Sequence, residues 1–387
     1  MKKVYMDNGA TTQVDEKVLD AMLPFLREDF GNPSSLHAFG REVKKSLEEA
    51  REKVATAINA KPDEIYFTSG GTEADNLAVQ GAARALKEKG RHIITSAVEH
   101  HAVLDVCKAL EKEGFDVTYV PVDEDALVNP EAVREAIRED TILVTIMMAN
   151  NEVGTVQPIK EIGAIVKEKG ICYHTDAVQA IGNIPVDVQE LGLDMLSMAA
   201  HKFYGPKGVG ALYVRKGTRL SKASFGGGQE KKVRPGTENM PGIMGMGRAI
   251  ELATEDIPGK SAYLESLRDK LISELMKIED VKLNGHPEKR LPGNVNLSFS
   301  YIEGESLILS LDMKGIGASS GSACTSGSLE PSHVLMAMGM PHETAHGSLR
   351  LSLGKNNTPE DVDYVLEVLP EIVERLRSMS SVSKNSK

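Results

Sequence analysis

Between residues 39 and 59 the apolar side chains of Val43, Leu47, Ala50, Val54 and Ile58 recur at helical spacing, which predicts an amphipathic helix. The next stretch, EIYFTSGGTEADNLAVQGAARALKEKG, reads as a short β-rich run, a Gly-rich turn and a long helix closed by Gly90. The alternation then repeats. HIITSAV (92–98) is strand-like and 101–113 helical; VTYVPV (117–122) is strand-like and 130–139 helical. TILVTIMMAN (141–150) is continuously apolar, as a strand buried on both faces requires. IKEIGAIVKEKG, ICYHTDA, DMLSMAA and GVGALYV continue the series. Such alternation predicts an α/β fold with a mostly parallel sheet wrapped by helices. The pattern changes at the long helix predicted over 257–278. NVNLSF, an acidic helical stretch, a Gly/Ser-rich loop and a closing helix around 359–377 follow it and predict a smaller α+β domain.

Composition and charge add four constraints. With 387 residues, 41% hydrophobic and 26% charged, the chain can bury a core large enough for a cofactor and divides naturally into two domains. A net charge of −11 argues against a nucleic-acid or anionic-membrane partner. Neither a membrane span nor a signal peptide is expected, because no apolar run is long enough and MKKVYMDNGATT has no apolar core behind it. The three cysteines, Cys107, Cys172 and Cys324, make no disulfide framework and fit a reducing cytoplasm.

Parallel sheets bind ligands at the carboxyl ends of their strands. Thr68-Ser69-Gly70-Gly71-Thr72-Glu73 lies between a strand and a helix, where glycines and helix N–H groups could cradle an anion, with Thr72 adding a hydroxyl. The same residues also read as an ordinary helix cap. Glu99-His100-His101 abruptly follows an apolar run; one imidazole could stack on a planar ligand or move protons, and a surface histidine is the alternative. Asp176 closes the ICYH run, and a carboxylate there needs a cation, either an arginine or a protonated pyridine nitrogen. Lys202 sits between Ala199-Ala200 and Phe203-Tyr204, where desolvation would favour the neutral amine needed for a Schiff base. Together these segments supply what pyridoxal 5′-phosphate requires. Far downstream, Ser319-Ser320-Gly321-Ser322-Ala323-Cys324-Thr325-Ser326-Gly327-Ser328 has almost no apolar side chain to pin it, so a mobile loop with a usable thiol is expected. Cys107 and Cys172 read as inert core residues.

These residues, with YMDNGATT, FGNPSSLH, FTSGGTEADN, EHHAVL, NNEVGTVQPI, HTDAVQA, HKFYGPKGVGALYV, GGGQEKKVRPGTEN, SSGSACTSGSLEPSHVL and LRLSLGKNNT, resemble the NifS/IscS-type cysteine desulfurases over nearly the whole chain. The resemblance implies a pyridoxal-phosphate-dependent transferase of fold type I, aspartate-aminotransferase-like. Its mostly parallel seven-stranded sheet would lie in a large domain at 15–257, and residues 1–14 with 258–387 would form the small domain carrying a catalytic cysteine loop at 317–330. It implies that Lys202 forms the Schiff base, that His100 stacks on the ring and transfers protons, and that Asp176 pairs with the ring nitrogen. Gln179 and Asn151 would bind the ring hydroxyl; Gly71, Thr72 and His201 would bind the phosphate, with Thr237 from a second subunit. Arg350 would clamp the substrate carboxylate with Asn32 nearby, and Cys324 would accept the sulfur of L-cysteine. Implied partners are a second copy of the chain and an iron–sulfur scaffold, a tRNA-thiolation enzyme or a thiamine-pathway carrier. No metal ligand set is assigned, although Cys324 could meet a cluster shared with a scaffold.

Another pyridoxal phosphate reaction, such as an aminotransferase or selenocysteine lyase, and a non-catalytic binding protein are the competing readings. An aminotransferase would have no use for Cys324, and a dead relative no reason to keep both Lys202 and Cys324. Three departures from the family pattern stand out. Ala199 replaces a serine that helps hold phosphate, Pro235 replaces a small residue before Gly-Thr and removes an N–H donor, and the tail reads SMSSVSKNSK where many members carry a scaffold-docking segment. The resemblance therefore does not by itself imply docking by that tail. Ala199→Ser should tighten cofactor binding by about 1 kcal/mol at most; a titration showing no gain would remove this account of the substitution.

Overall fold

The computed structural model describes residues 2–320 and 331–380. Strand β1 (Val4–Tyr5) is followed by helices α1 (Glu16–Met22), α2 (Pro24–Arg27) and α3 (Ala38–Ala57). The α3 helix buries Val43, Leu47, Ala50 and Val54, the stripe the spacing predicts. Then the alternation begins: β2 (Ile65–Thr68), α4 (Gly71–Leu86), β3 (His92–Ser96), α5 (His101–Lys112), β4 (Asp116–Val120), α6 (Pro130–Ala136), β5 (Thr141–Thr145), α7 (Ile159–Glu168), β6 (Cys172–Asp176), β7 (Met195–Ala199) and β8 (Gly210–Val214).

These strands form a seven-stranded sheet in the order β2-β8-β7-β6-β5-β3-β4. Only β8 runs antiparallel to its neighbours β2 and β7. Consequently the carboxyl ends of β2, β3, β6 and β7 share one edge, and the four polar segments that follow them in sequence meet there. The run 141–150 leaves the strand after Thr145, although Ile146 and Met148 still donate to the His174 and Asp176 carbonyls at 3.2 and 2.8 Å. The reason is Asn150, whose amide bonds the Val98 carbonyl at 3.0 Å and accepts from the Glu152 and Val153 N–H groups, turning the chain inward.

The remaining elements are α8 (Met240–Thr254), α9 (Ile257–Leu275), β9 (Val281–Leu283), β10 (Asn294–Phe299), α10 (Gly304–Asp312), β11 (Ile316–Gly317), α11 (His333–Ala337), α12 (His342–His346), β12 (Ser348–Ser352) and α13 (Pro359–Met379). One apolar cluster joins α3 and α8 to a face of the large sheet, through Val54, Ile94, Tyr173, Leu196 and Ile250. A second lies under α4 and α5 on the opposite face, with Ala78, Val103, Leu110 and Leu143. A third surrounds the antiparallel β12-β10-β9 sheet and unites Val4 and Met6 with Leu271, Leu297, Leu349 and Val365. The start of the chain thus packs with its last third, because β1 pairs in parallel with β11. Among the described residues no helix is long and apolar enough to cross a membrane.

Leu297 is 1% exposed at the centre of that third cluster. Leu297→Ala should cost about 2–5 kcal/mol, read as a lower denaturation midpoint; an unchanged midpoint would show that the cluster contributes little.

Candidate active site

The short turn Ala200–Lys202 extends β7 and places Lys202 at the shared edge. Its Nζ donates to the carbonyls of Gly9 and Ala10 at 2.6 and 2.9 Å. The Gly9 carbonyl also accepts from Gln179 Nε2 at 2.9 Å, and the Gly9 N–H donates to Ser352 Oγ at 2.7 Å. Glycine suits this junction, since a Cβ would come within 3.1 Å of Ser352 Oγ and 3.5 Å of the Arg350 guanidinium carbon. The opening segment therefore ties Lys202, Gln179 and β12 together.

Asp176 ends β6 and is 6% exposed, with Oδ1 accepting from the Val178 N–H at 2.9 Å. Burial pushes its carboxyl above the ordinary range, opposed by the neighbouring charges of His100 and Lys202. Among the described residues no arginine forms a salt bridge with it, so the arginine alternative is not what the fold supplies. His100 caps α5, its Nδ1 accepting from the Ala102 N–H at 3.1 Å, and burial lowers its basicity while Asp176 raises it. His101 diverges from it, with ring centroids 6.4 Å apart, and lies 5.0 Å from the His333 ring.

Gly71 opens α4 beside β6 and β7: a Cβ there would meet Val178 Cγ2 at 2.7 Å and Ala199 Cβ at 3.5 Å. The helix start can approach the sheet edge only without a side chain at this position. Thr72 follows in the first turn. His201 bonds Thr11 Oγ1 at 3.2 Å, and burial with Lys202 and Lys207 lowers its pKa to about 4, which leaves it neutral near pH 7.

Arg350, on β12, is 2% exposed. Its Nη2 donates to Asp7 Oδ1 at 3.0 Å and its Nη1 to the Asn151 carbonyl at 2.8 Å. Asn151 is thus brought to Arg350 by its backbone. Asn32 and Thr237 are both exposed, and Asn32 Oδ1 accepts from the Ser34 N–H at 2.9 Å. Cys324 lies outside the described residues. Cys107 and Cys172 are free thiols, and burial pushes the first up to about 12 and raises the second as well. Neither is a ready source of thiolate.

Asp7, Gly9 and Glu99 are site residues to which sequence reasoning assigned no role. Their signal was local: an acid and a glycine crowded into YMDNGATT, and an acid closing an apolar run before His100. Glu99 is fully buried, accepting from Ser96 Oγ at 2.5 Å and the Met147 N–H at 2.9 Å, and burial raises its pKa to about 8. Its folded value lies above its ordinary 4.5, so the folded state holds an extra proton between these values. That contribution to stability is fully present below the lower value and is lost as pH rises through the upper one. Glu99→Gln, which keeps the neutral form, should vary less in stability between about pH 5 and about pH 8 than the wild type; equal slopes in denaturation series would refute the neutral acid.

The profile of the Aminotransferase class-V family matches residues 4–365. Cysteine desulfurase IscS of Methanosarcina thermophila is 60% identical over 382 residues, covering 99% of this chain and 95% of that protein. The cysteine desulfurase IscS of Clostridium botulinum strain Hall is 58% identical, covering 98% and 96%. Among solved structures, a NifS-like protein superposes with a TM-score of 0.92 at 44% identity, covering 97% of this chain and 100% of that one. A NifS-like protein from Rickettsia africae gives 0.88 at 32% identity, with 96% and 100% covered. Identity of this extent, over a fold shared from end to end, shows that the chain belongs to the aminotransferase class-V family and, within it, to the IscS-type cysteine desulfurases.

Proposed function

We propose that this protein is a cysteine desulfurase: it takes sulfur from L-cysteine, releases L-alanine and carries the sulfur on Cys324 to an acceptor. The observation that carries the reading is the meeting of Lys202, Asp176, His100 and the Gly71 turn on one edge of the sheet, in a family that uses pyridoxal phosphate.

The residues fit that cofactor. A buried carboxyl at Asp176 is held above its ordinary range until a cation faces it, and a pyridine nitrogen that shares its proton meets that need. The close seat of Gly71 leaves backbone N–H groups at a helix start for a phosphate. Lys202 would hold the cofactor through Nζ, with Asp176 at the ring nitrogen, His100 against the ring and Gln179 and Asn151 at its hydroxyl. Gly71, Thr72 and His201 would hold the phosphate, joined by the partner subunit's Thr237. When bound, the cofactor supplies an electron sink for the pair released at the substrate's Cα.

The chain's own groups do the rest. Arg350, braced by Asp7, would bind the substrate carboxylate, with Asn32 as a further contact. Lys202 Nζ, once released, takes the Cα proton, and His100 holds a proton for the leaving group. The Cys324 thiolate attacks the substrate sulfur. An S–S bond forms as the C–S bond breaks, and the electron pair stays on the three-carbon skeleton, which leaves as alanine after protonation.

A second copy of the chain is the natural partner. Phe30, Phe39 and Leu36 are 74%, 59% and 91% exposed, and the Phe30 and Phe39 rings stack at 5.9 Å, apolar surface that association would cover. The sulfur acceptor is an iron–sulfur scaffold protein or another thiolation partner, and free thiols at Cys107 and Cys172 support a cytoplasmic setting.

The test is alanine and sulfide release from L-cysteine with dithiothreitol, followed together with the cofactor's absorbance. Wild type should turn over, Cys324→Ala should stay yellow and lose at least about a hundredfold in rate, and Lys202→Ala should not turn over. Full activity in Cys324→Ala, or no alanine from the wild type, would overturn the mechanism.

A further inference from the structure

Glu230, Lys231 and Lys232 have φ values of 41°, 56° and 70°, three consecutive non-glycine residues in the left-handed region. L-residues visit that region singly, and a run persists only where its surroundings impose it. Here the surroundings are buried. The Glu230 carboxylate, 6% exposed, takes Arg51 Nη1 and Nη2 at 2.8 and 2.9 Å and the Phe67 N–H at 2.8 Å. Arg51 in turn donates to the Ile65 carbonyl at 2.9 Å, so both partners of the ion pair are fastened to β2. Lys231 reaches the Asp63 carbonyl at 2.6 Å and lies over the Tyr66 ring at 4.8 Å.

Past the turn, Arg234 Nε donates to Glu73 Oε1 at 2.8 Å, and Glu73 Oε2 accepts from the Ser69 N–H at 2.5 Å. The stretch from Glu230 to Arg234 therefore holds the chain on both sides of the Thr68–Thr72 segment. It reaches β2 just before the segment through Glu230, and the first turn of α4 through Arg234 and Glu73. Neither Glu230 nor Arg234 is part of the Gly71-Thr72 turn they flank.

We propose that Glu230 and Arg234 are positioning residues for the anion cradle: the strained turn sets the spacing between Phe67 on β2 and Gly71-Thr72 at the start of α4, and with it the fit of a phosphate group. This rests on the reading of that turn as the cofactor's phosphate seat. A brace of this kind acts on the phosphate end alone, whereas general loosening of the fold would weaken every part of the cofactor's grip.

The two are separated by titrating apoprotein with pyridoxal phosphate and, separately, with pyridoxal, which lacks the phosphate, reading absorbance and protein fluorescence. In Glu230→Gln and in Arg234→Gln the Kd for pyridoxal phosphate should rise about tenfold while that for pyridoxal changes less than about twofold. Circular dichroism reports whether each variant is folded. If Glu230→Gln fails to fold because Arg51 is left buried without its partner, Arg234→Gln, whose ion pair is partly exposed, decides the matter. Equal loss for both ligands, or no loss for pyridoxal phosphate, overturns the brace. Wild-type apoprotein that binds the two ligands equally overturns the phosphate-seat reading itself, and the brace with it.

Discussion

A carboxyl group at the end of a strand buried on both faces is a charge that the interior does not welcome, and Asp176 is held there. Its ionised form is favoured by the Val178 N–H and by positive charge, which His100 from the end of β3, when protonated, and Lys202 from the end of β7 bring. The position of each is secured by something else. His100 is fixed as the cap of α5. Lys202 is fixed by the Gly9 and Ala10 carbonyls, and Gly9 by Ser352 and Gln179. The demand of one buried carboxylate thus reaches through the sheet edge to the first residues of the chain and to β12.

Around that centre, burial silences most other ionisable groups. His174 is pushed down to about 3 and His201 to about 4, while Glu99 is raised to about 8 and Cys107 to about 12. Each is uncharged near neutral pH, so the field at the sheet edge is set by few groups. The neutral ones still work as hydrogen-bonding parts: His174 joins Thr145 at 2.8 Å and Ser197 at 3.0 Å, linking three adjacent strands beneath Asp176.

Two buried arginines show how charge is tolerated where it is kept. Arg51 meets Glu230 in a two-pronged pair, and Arg350 meets Asp7 and a backbone carbonyl. Breaking such a pair leaves an uncompensated charge, which costs more than the pair itself contributes. Both join segments distant in sequence, β12 to the N-terminal segment and α3 to the turn at Glu230, so they specify arrangement more than they add stability.

The sequence by itself determined the alternating elements, because apolar periodicity is a local property that survives any packing. The helical stripe of α3, the buried strands β3, β5 and β6, and the Gly-rich start of α4 were legible in this way. So were Lys202, Asp176 and His100, since each is a polar residue set abruptly against an apolar run. Strand order was not legible, and it alone decides that the ends of β2, β3, β6 and β7 share an edge. Nor were the carbonyls of Gly9 and Ala10 that receive Lys202, the carboxylate of Asp7 that meets Arg350, or the grip of Glu230 on β2. Those contacts join residues from 163 to 343 positions apart. Pairings of that range leave no periodic trace in the chain, and come into being only when the cores on either side have closed.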